Sequence, residues 1–238
     1  MEKGLRLTTE EVKAVIDGRK SMKRMIIKSH GNTPKFYDRD KYYKLVNGLN
    51  NKLGLFAGFY KDSDVFTYEG KEMIDAIYFK SPYQVGDMLY VRETWCKLSK
   101  LDINDQVIEG TENYYYRADG YNPTPFNHFP DADGFSGKDC PTWKPSVYMP
   151  KEAARIWLKV TDVRVERLQD IRGSDVINEG VCDAYEKYEN LIPKFKAFWD
   201  SIYAPKGYVY IGGNADCWDA NPNVFVSSFE RINKPCGQ

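Results

Sequence analysis

Six cations lie close together near the start of this chain: Arg19, Lys20, Lys23, Arg24, Lys28 and Lys35, with no acidic residue between Gly18 and Tyr37. The first four fall in Gly18-Arg19-Lys20-Ser21-Met22-Lys23-Arg24. In a chain with a formal net charge of zero, so concentrated a positive segment suits an anion or a nucleotide. Cations also complement the negative end of a helix dipole, which accounts for one or two of the six. A second candidate pair is Arg92-Glu93. Neighbours on a strand face opposite ways, so only one of them enters a pocket. Arg92 suits a phosphate or a base edge; a buried structural ion pair is the alternative. Between Asp119 and Pro145 the chain has five Pro, three Gly and no usable period. A stretch of that length reads as a lid or binding loop. Its aromatics, Trp143 among them, either stack on bases or pin the loop to the core. Trp95, just after Arg92-Glu93, completes the candidate binding set.

The elements that must position these residues belong to one domain of ordinary size. At 238 residues, 42% hydrophobic and 29% charged, the chain is long enough for a sizeable core. Aromatics at 15% favour β-rich structure. No apolar run approaches the ~20 residues that span a bilayer, and the first residues hold no signal-peptide segment. A soluble, cytoplasmic protein without a membrane partner is expected. Five Cys and no C-x-x-C pair argue against a disulfide scaffold and a zinc ribbon. With His30 and His128 the only imidazoles, no metal or other cofactor is assigned, although carboxylate-bound Mg²⁺ stays open.

Thr8-x-x-Glu11 is a capping box that starts a helix over Thr9–Asp17, which Gly18 ends. Met22 to Ile27 reads as extended. Tyr42, Leu45, Val46 and Leu49 sit at helical spacing within Asp38–Asn50, and Leu53–Tyr60, Val65–Tyr68 and Ala76–Phe79 read as strands. Met88–Trp95 and Asn113–Ala118 are further strands. A long strand from Ile156 shifts phase between Val160 and Val163, as a β-bulge would. Ser174–Glu179 is a short helix, Tyr188–Tyr203 an amphipathic one with Pro193 in its first turn, and Val224–Ile232 a closing strand.

Taken together, the capped helix ending in Gly-Arg-Lys, Val85-Gly86-Asp87-x-Leu89 and Val91-Arg92-Glu93-Thr94-Trp95 resemble the ASCH domain, a branch of the PUA-like superfamily. Trp143-Lys144-Pro145-Ser146, Met149-Pro150, Ala153-Ala154-Arg155, Val165-Glu166-Arg167-Leu168-Gln169-Asp170-Ile171 and Glu179-Gly180 resemble its bacteriophage and prophage members. The resemblance implies an α+β fold: a single PUA-like mixed β-barrel with flanking helices over residues 1–238, with insertions at about 29–80 and 119–139. It also implies handling of RNA or modified nucleobases.

Enzymes of this kind remove the acetyl group of N4-acetylcytidine with a Lys, a Thr three residues later and a distant Glu. The resemblance carries the Lys to Lys20 and the Glu to Glu179, while the Thr position holds Lys23. Lys20 would act as a base once burial and its basic neighbours disfavour its charged form. Glu179, at a helix C-terminus where a carboxylate is disfavoured, would transfer protons. The plain alternatives are a surface charge and a solvated helix-end acid. Ser21 shares a strand face with Lys23 but lies roughly 6–7 Å along it, too far to stand in. Three functions follow. The first is a nucleic-acid or nucleobase binder whose pocket draws on Arg19, Lys20, Lys23, Arg24, Arg92, Glu93, Trp95, Trp143 and Glu179. The second is an amidohydrolase on a modified base. The third is a phage assembly or host-takeover protein that uses the barrel as a scaffold for a protein partner.

Overall fold

Thr8 starts the first helix as its sequence predicts. Its side chain accepts from Glu11 N at 3.3 Å, and Glu11 Oε2 accepts from Thr8 N at 2.9 Å. The computed structural model describes residues 1–27, 44–50, 55–59, 66–68, 71–73, 76–99, 104, 106, 108–120, 143–203 and 217–235. Strand β1 (Glu2–Arg6) precedes this helix, α1 (Thr9–Ile16). Asp17 caps α1, and Gly18 follows at φ 75°, a left-handed conformation that glycine adopts without strain. Strand β2 (Met22–Ile26) comes next.

The helix expected over Asp38–Asn50 is corrected: its described part, β3 (Lys44–Asn50), is a strand, and residues 38–43 lie outside the described residues. β3 pairs antiparallel with β4 (Leu55–Phe59), placing Val46 opposite Ala57. Such pairing overrides a helical period that only four residues carry. Beyond it lie β5 (Phe66–Tyr68), β6 (Lys71–Met73) and β7 (Ala76–Lys80). The sequence pattern does not mark β6, whose strand state comes from pairing with β5.

The strand expected over Met88–Trp95 is two strands, β8 (Met88–Arg92) and β9 (Trp95–Leu98), broken at Glu93-Thr94. β10 (Asn113–Tyr116) pairs with β9 and ends in a 3₁₀ turn over Arg117–Asp119. Residues 121–142 of the aromatic loop lie outside the described residues. β11 (Trp157–Arg167) is a single long strand, and its buried positions shift from Leu158 and Val160 to Val163 and Val165, the expected change of phase. Helix α2 (Gly173–Asn178) starts after Arg172 with no side-chain cap, one residue ahead of the Ser174 start that the sequence suggests. Helix α3 (Tyr188–Tyr203) carries Pro193 as its sixth residue, past the first turn where the sequence suggests it. A proline there has no N–H for the carbonyl four residues back. β12 (Asn223–Ile232) closes the order.

The protein is a mixed α+β fold. Its largest sheet runs β1-β8-β11-β12-β2, with β1 parallel to β8 and β12 antiparallel to β2. The strands between residues 44 and 80 pair with one another in the sheets β3-β4-β7 and β5-β6. No described helix is long and apolar enough to cross a membrane.

The chain divides into two compact units. One comprises Met1, Arg19–Asp87 and Lys159–Glu230; the other comprises Glu2–Gly18, Met88–Leu158 and Arg231–Gln238. In the first, α3 turns Leu191, Phe195 and Trp199 inward at a spacing of four, against Val176 of α2 and Val224 and Val226 of β12. Each large side chain so buried stabilises by about 1.5–3 kcal/mol. In the second, Trp95 and Trp157 pack with Met149, Ala153 and Ala154.

Candidate functional site

The site is built at the start of β2, within the first unit. After the left-handed Gly18, Lys20 forms an isolated antiparallel bridge with Glu179, the residue that caps the C-terminus of α2. Ser21 N donates to Asn178 O at 2.8 Å, and Phe229 N donates to Ser21 O at 2.8 Å. These backbone bonds hold the basic corner between α2 and β12.

Two residues 159 positions apart therefore meet. Lys20 Nζ donates to Glu179 Oε2 at 2.9 Å and to the Glu179 carbonyl at 2.8 Å. Their side chains are 0% and 3% exposed, so both charges are out of water. Arg24 Nη1 reaches the other carboxylate oxygen, Glu179 Oε1, at 3.2 Å. The same guanidinium donates through Nη2 to Asp175 Oδ2 at 2.9 Å and through Nε to Glu166 Oε1 at 3.1 Å. Arg164 ties the far side, with Nε to Glu166 Oε2 at 3.0 Å and Nη2 to Asp175 Oδ2 at 3.4 Å.

The result is a network in which Lys20, Arg24 and Arg164 balance Glu166, Asp175 and Glu179. Burial works against the charge of Arg24, but Glu179, Glu166 and Asp175 outweigh it and raise its pKa above the ordinary value. The ring of Phe195 lies 5.9 Å from the guanidinium carbon, bringing α3 to the same cation. The sign of the helix-end effect matters here. The carboxylate that the end of α2 disfavours is held by two cations instead of being left to solvent.

The basic window thus divides. Lys20 and Arg24 are internal, whereas Arg19 is partly exposed, with Nη1 donating to Gly180 O at 3.3 Å and Nε 3.4 Å from Asp183. Lys23 pairs across the sheet with Ser227, while Arg24 pairs with Val226. Side chains alternate along a strand, so Lys23 and Ser227 share the face opposite to Arg24 and the network. Ser227 is 1% exposed, and its hydroxyl has no hydrogen-bond partner among the described residues.

The remaining predicted residues belong to the second unit. Arg92 Nη2 donates to Val147 O, and its buried Nε has no partner among the described residues. Glu93 is buried and takes a two-pronged contact from Arg155, Nε to Oε1 and Nη2 to Oε2, each at 3.0 Å. Glu93 thus forms a buried ion pair with Arg155, whereas Arg92, for which the sequence offered such a pair as the alternative, contacts a backbone carbonyl. Arg155 also reaches Asp119 Oδ2 at 2.8 Å and stacks 4.0 Å above the ring of Tyr116. Burial raises the pKa of Glu93, with Arg155 opposing it. Burial likewise pushes Tyr116 up to about 12. Trp95 is buried, with Lys144 Nζ 5.1 Å from its ring and an indole N–H that has no partner among the described residues. Trp143 is half-buried.

Sequence reasoning missed Arg164, Glu166 and Asp175. The signal was available in Val163-Arg164-Val165-Glu166, whose alternation puts both charges on one strand face. Arg155 and Asp119 carried no such signal. Among the described residues no cluster of His, Cys, Asp and Glu is placed to hold a metal. No family model, curated protein or solved structure compared with the chain matches it.

Proposed function

We propose that the chain is an ASCH-type protein of the bacteriophage kind, built on a PUA-like barrel, that binds RNA or a modified nucleobase. The observation that supports this reading is the 2.9 Å contact between Lys20 Nζ and Glu179 Oε2. It joins the two residues to which the resemblance assigns the family's site. A cytoplasmic location, the host's for a phage protein, goes with it.

The same contact favours binding over hydrolysis. A general base needs a free lone pair and a nucleophile within hydrogen-bond reach. Lys20 Nζ is already engaged by the Glu179 side chain and carbonyl, and Lys23, standing where the resemblance expects Thr, faces the other side of β2. Hydrolysis of an N4-acetylcytidine-type amide is the second reading, favoured by the resemblance that assigns Lys20 and Glu179 to such a site and weakened by that missing hydroxyl.

The test measures binding of short RNAs and of nucleosides by fluorescence anisotropy and calorimetry, alongside acetate release from N4-acetylcytidine. Binding without acetate release is the expected result. Acetate release that disappears in Lys20→Ala and Glu179→Ala would move the protein to the second reading. No binding of either ligand class, with a phage or host protein co-purifying, would replace both with the scaffold function.

A further inference from the structure

Beside the buried pair the first unit carries an open groove of about 930 Å³, lined by Arg19 and by residues of the segment that joins α2 to α3 and of the first turn of α3. It begins where the network ends: Arg19 follows Gly18 and precedes Lys20, and it donates to the carbonyl of Gly180, the residue after Glu179. The volume is in the range of small-ligand sites, about 300–1,000 Å³.

We infer that this groove is where the ligand is met, and that the ligand is the uncharged base of a nucleoside with an exocyclic amino group. The inference rests on the nucleobase reading above and supplies its location and chemistry. Charge decides against a phosphate. Arg19 and Lys187 stand against Asp183, Glu186 and Glu189 in the lining. Arg19 is itself paired with Asp183 at 3.4 Å, so the groove has no surplus of positive charge to hold a backbone. The aromatic content decides for a planar ligand. Tyr185 lines the groove and is 99% exposed, so its ring is available as a stacking face.

The acceptors decide the edge. Carboxylates accept hydrogen bonds from an exocyclic amino group such as N4 of cytosine. Among the described residues of the lining, Glu189 is the carboxylate that remains for it, because Asp183 takes Arg19 and Glu186 takes Lys194, Asn190 and the Lys187 amide. Asn190 donates its amide to Glu186 Oε1 at 2.8 Å, which orients its carbonyl as the acceptor end.

Calorimetric titration of the full chain with cytidine, adenosine and uridine tests this. Cytidine or adenosine binds about tenfold more tightly than uridine, and raising the salt from about 50 to 500 mM changes the affinity by less than about twofold. Tyr185→Ala weakens binding about tenfold or more with unchanged thermal stability, and Tyr185→Phe restores it, because the ring and not the hydroxyl stacks. Cytidine binding untouched by Tyr185→Ala overturns the groove and leaves the nucleobase reading in place. RNA binding that collapses with salt, without nucleoside binding, overturns the uncharged ligand and leaves a nucleic-acid reading. Binding of neither overturns both.

Discussion

The ammonium of Lys20 and the carboxylate of Glu179 meet at 2.9 Å with at most 3% of either side chain exposed. A pair this deeply buried is held by its hydrogen bonds more than by net Coulomb gain. Removing one partner strands the other charge. Lys20→Met or Glu179→Gln should each lower unfolding free energy by about 3–5 kcal/mol. The double variant Lys20→Met/Glu179→Gln should lose clearly less than the sum, because each single change removes the same pairing. Urea unfolding of the four proteins measures this, and strict additivity would mean that the two residues are not energetically coupled.

Arg24 meets three carboxylates with one planar group: Glu166, Asp175 and Glu179. Arg24→Lys keeps the charge and loses the fork. At least one buried carboxylate is then left short of a donor, at about 1–3 kcal/mol. Equal urea midpoints for Arg24→Lys and the parent chain would show that charge alone matters at this position.

Tyr116 donates its hydroxyl to Ala153 O at 2.5 Å, and burial pushes its pKa from 10.0 up to about 12. The folded chain thus keeps a proton that the unfolded chain releases first. Its contribution is fully present below about pH 10 and is lost as the pH rises towards 12. Tyr116→Phe should be less stable at neutral pH, by about 1 kcal/mol for the lost hydrogen bond. It should also show a flatter fall in stability between pH 10 and 12, and thermal melts across that range compare the slopes.

Gly173 opens α2 against α3. A Cβ added there would lie 2.9 Å from Tyr188 Cε2 and 3.0 Å from Leu191 Cδ1. Tyr188 is 80% exposed and can swing aside, but Leu191 is 4% exposed and sits in the core. Gly173→Ala should therefore cost about 1–3 kcal/mol as overpacking, and adding Tyr188→Ala should not restore it. Full rescue by Tyr188→Ala would put the obstruction at the tyrosine alone.

Local chemistry was legible wherever it acts within a few residues. The capping box Thr8–Glu11, the stop at Gly18, the apolar stripe of α3 and the strand ends around β4, β5 and β7 follow from spacing and from what each side chain does to its own backbone. Two elements escaped because their state is set by a partner strand. Lys44–Asn50 carries a helical period but pairs with β4, and Lys71–Met73 is a strand through its pairing with β5.

At the candidate site the split is the same. The sequence determined that a dense set of cations follows a helix end and that an acid closes a later one. Their meeting rests on the resemblance at that level, because nothing in local spacing relates residue 20 to residue 179. Only the tertiary structure decided which cations are internal. Alternation along β2 turns Arg24 towards Glu166, Asp175 and Glu179 while Lys23 faces Ser227. The physical reason is that burial makes an unpaired charge prohibitive, so the fate of each cation depends on which carboxylates the fold brings within hydrogen-bond reach. Pairing across a sheet and between a strand and a helix is a long-range property, and no window of neighbouring residues contains it.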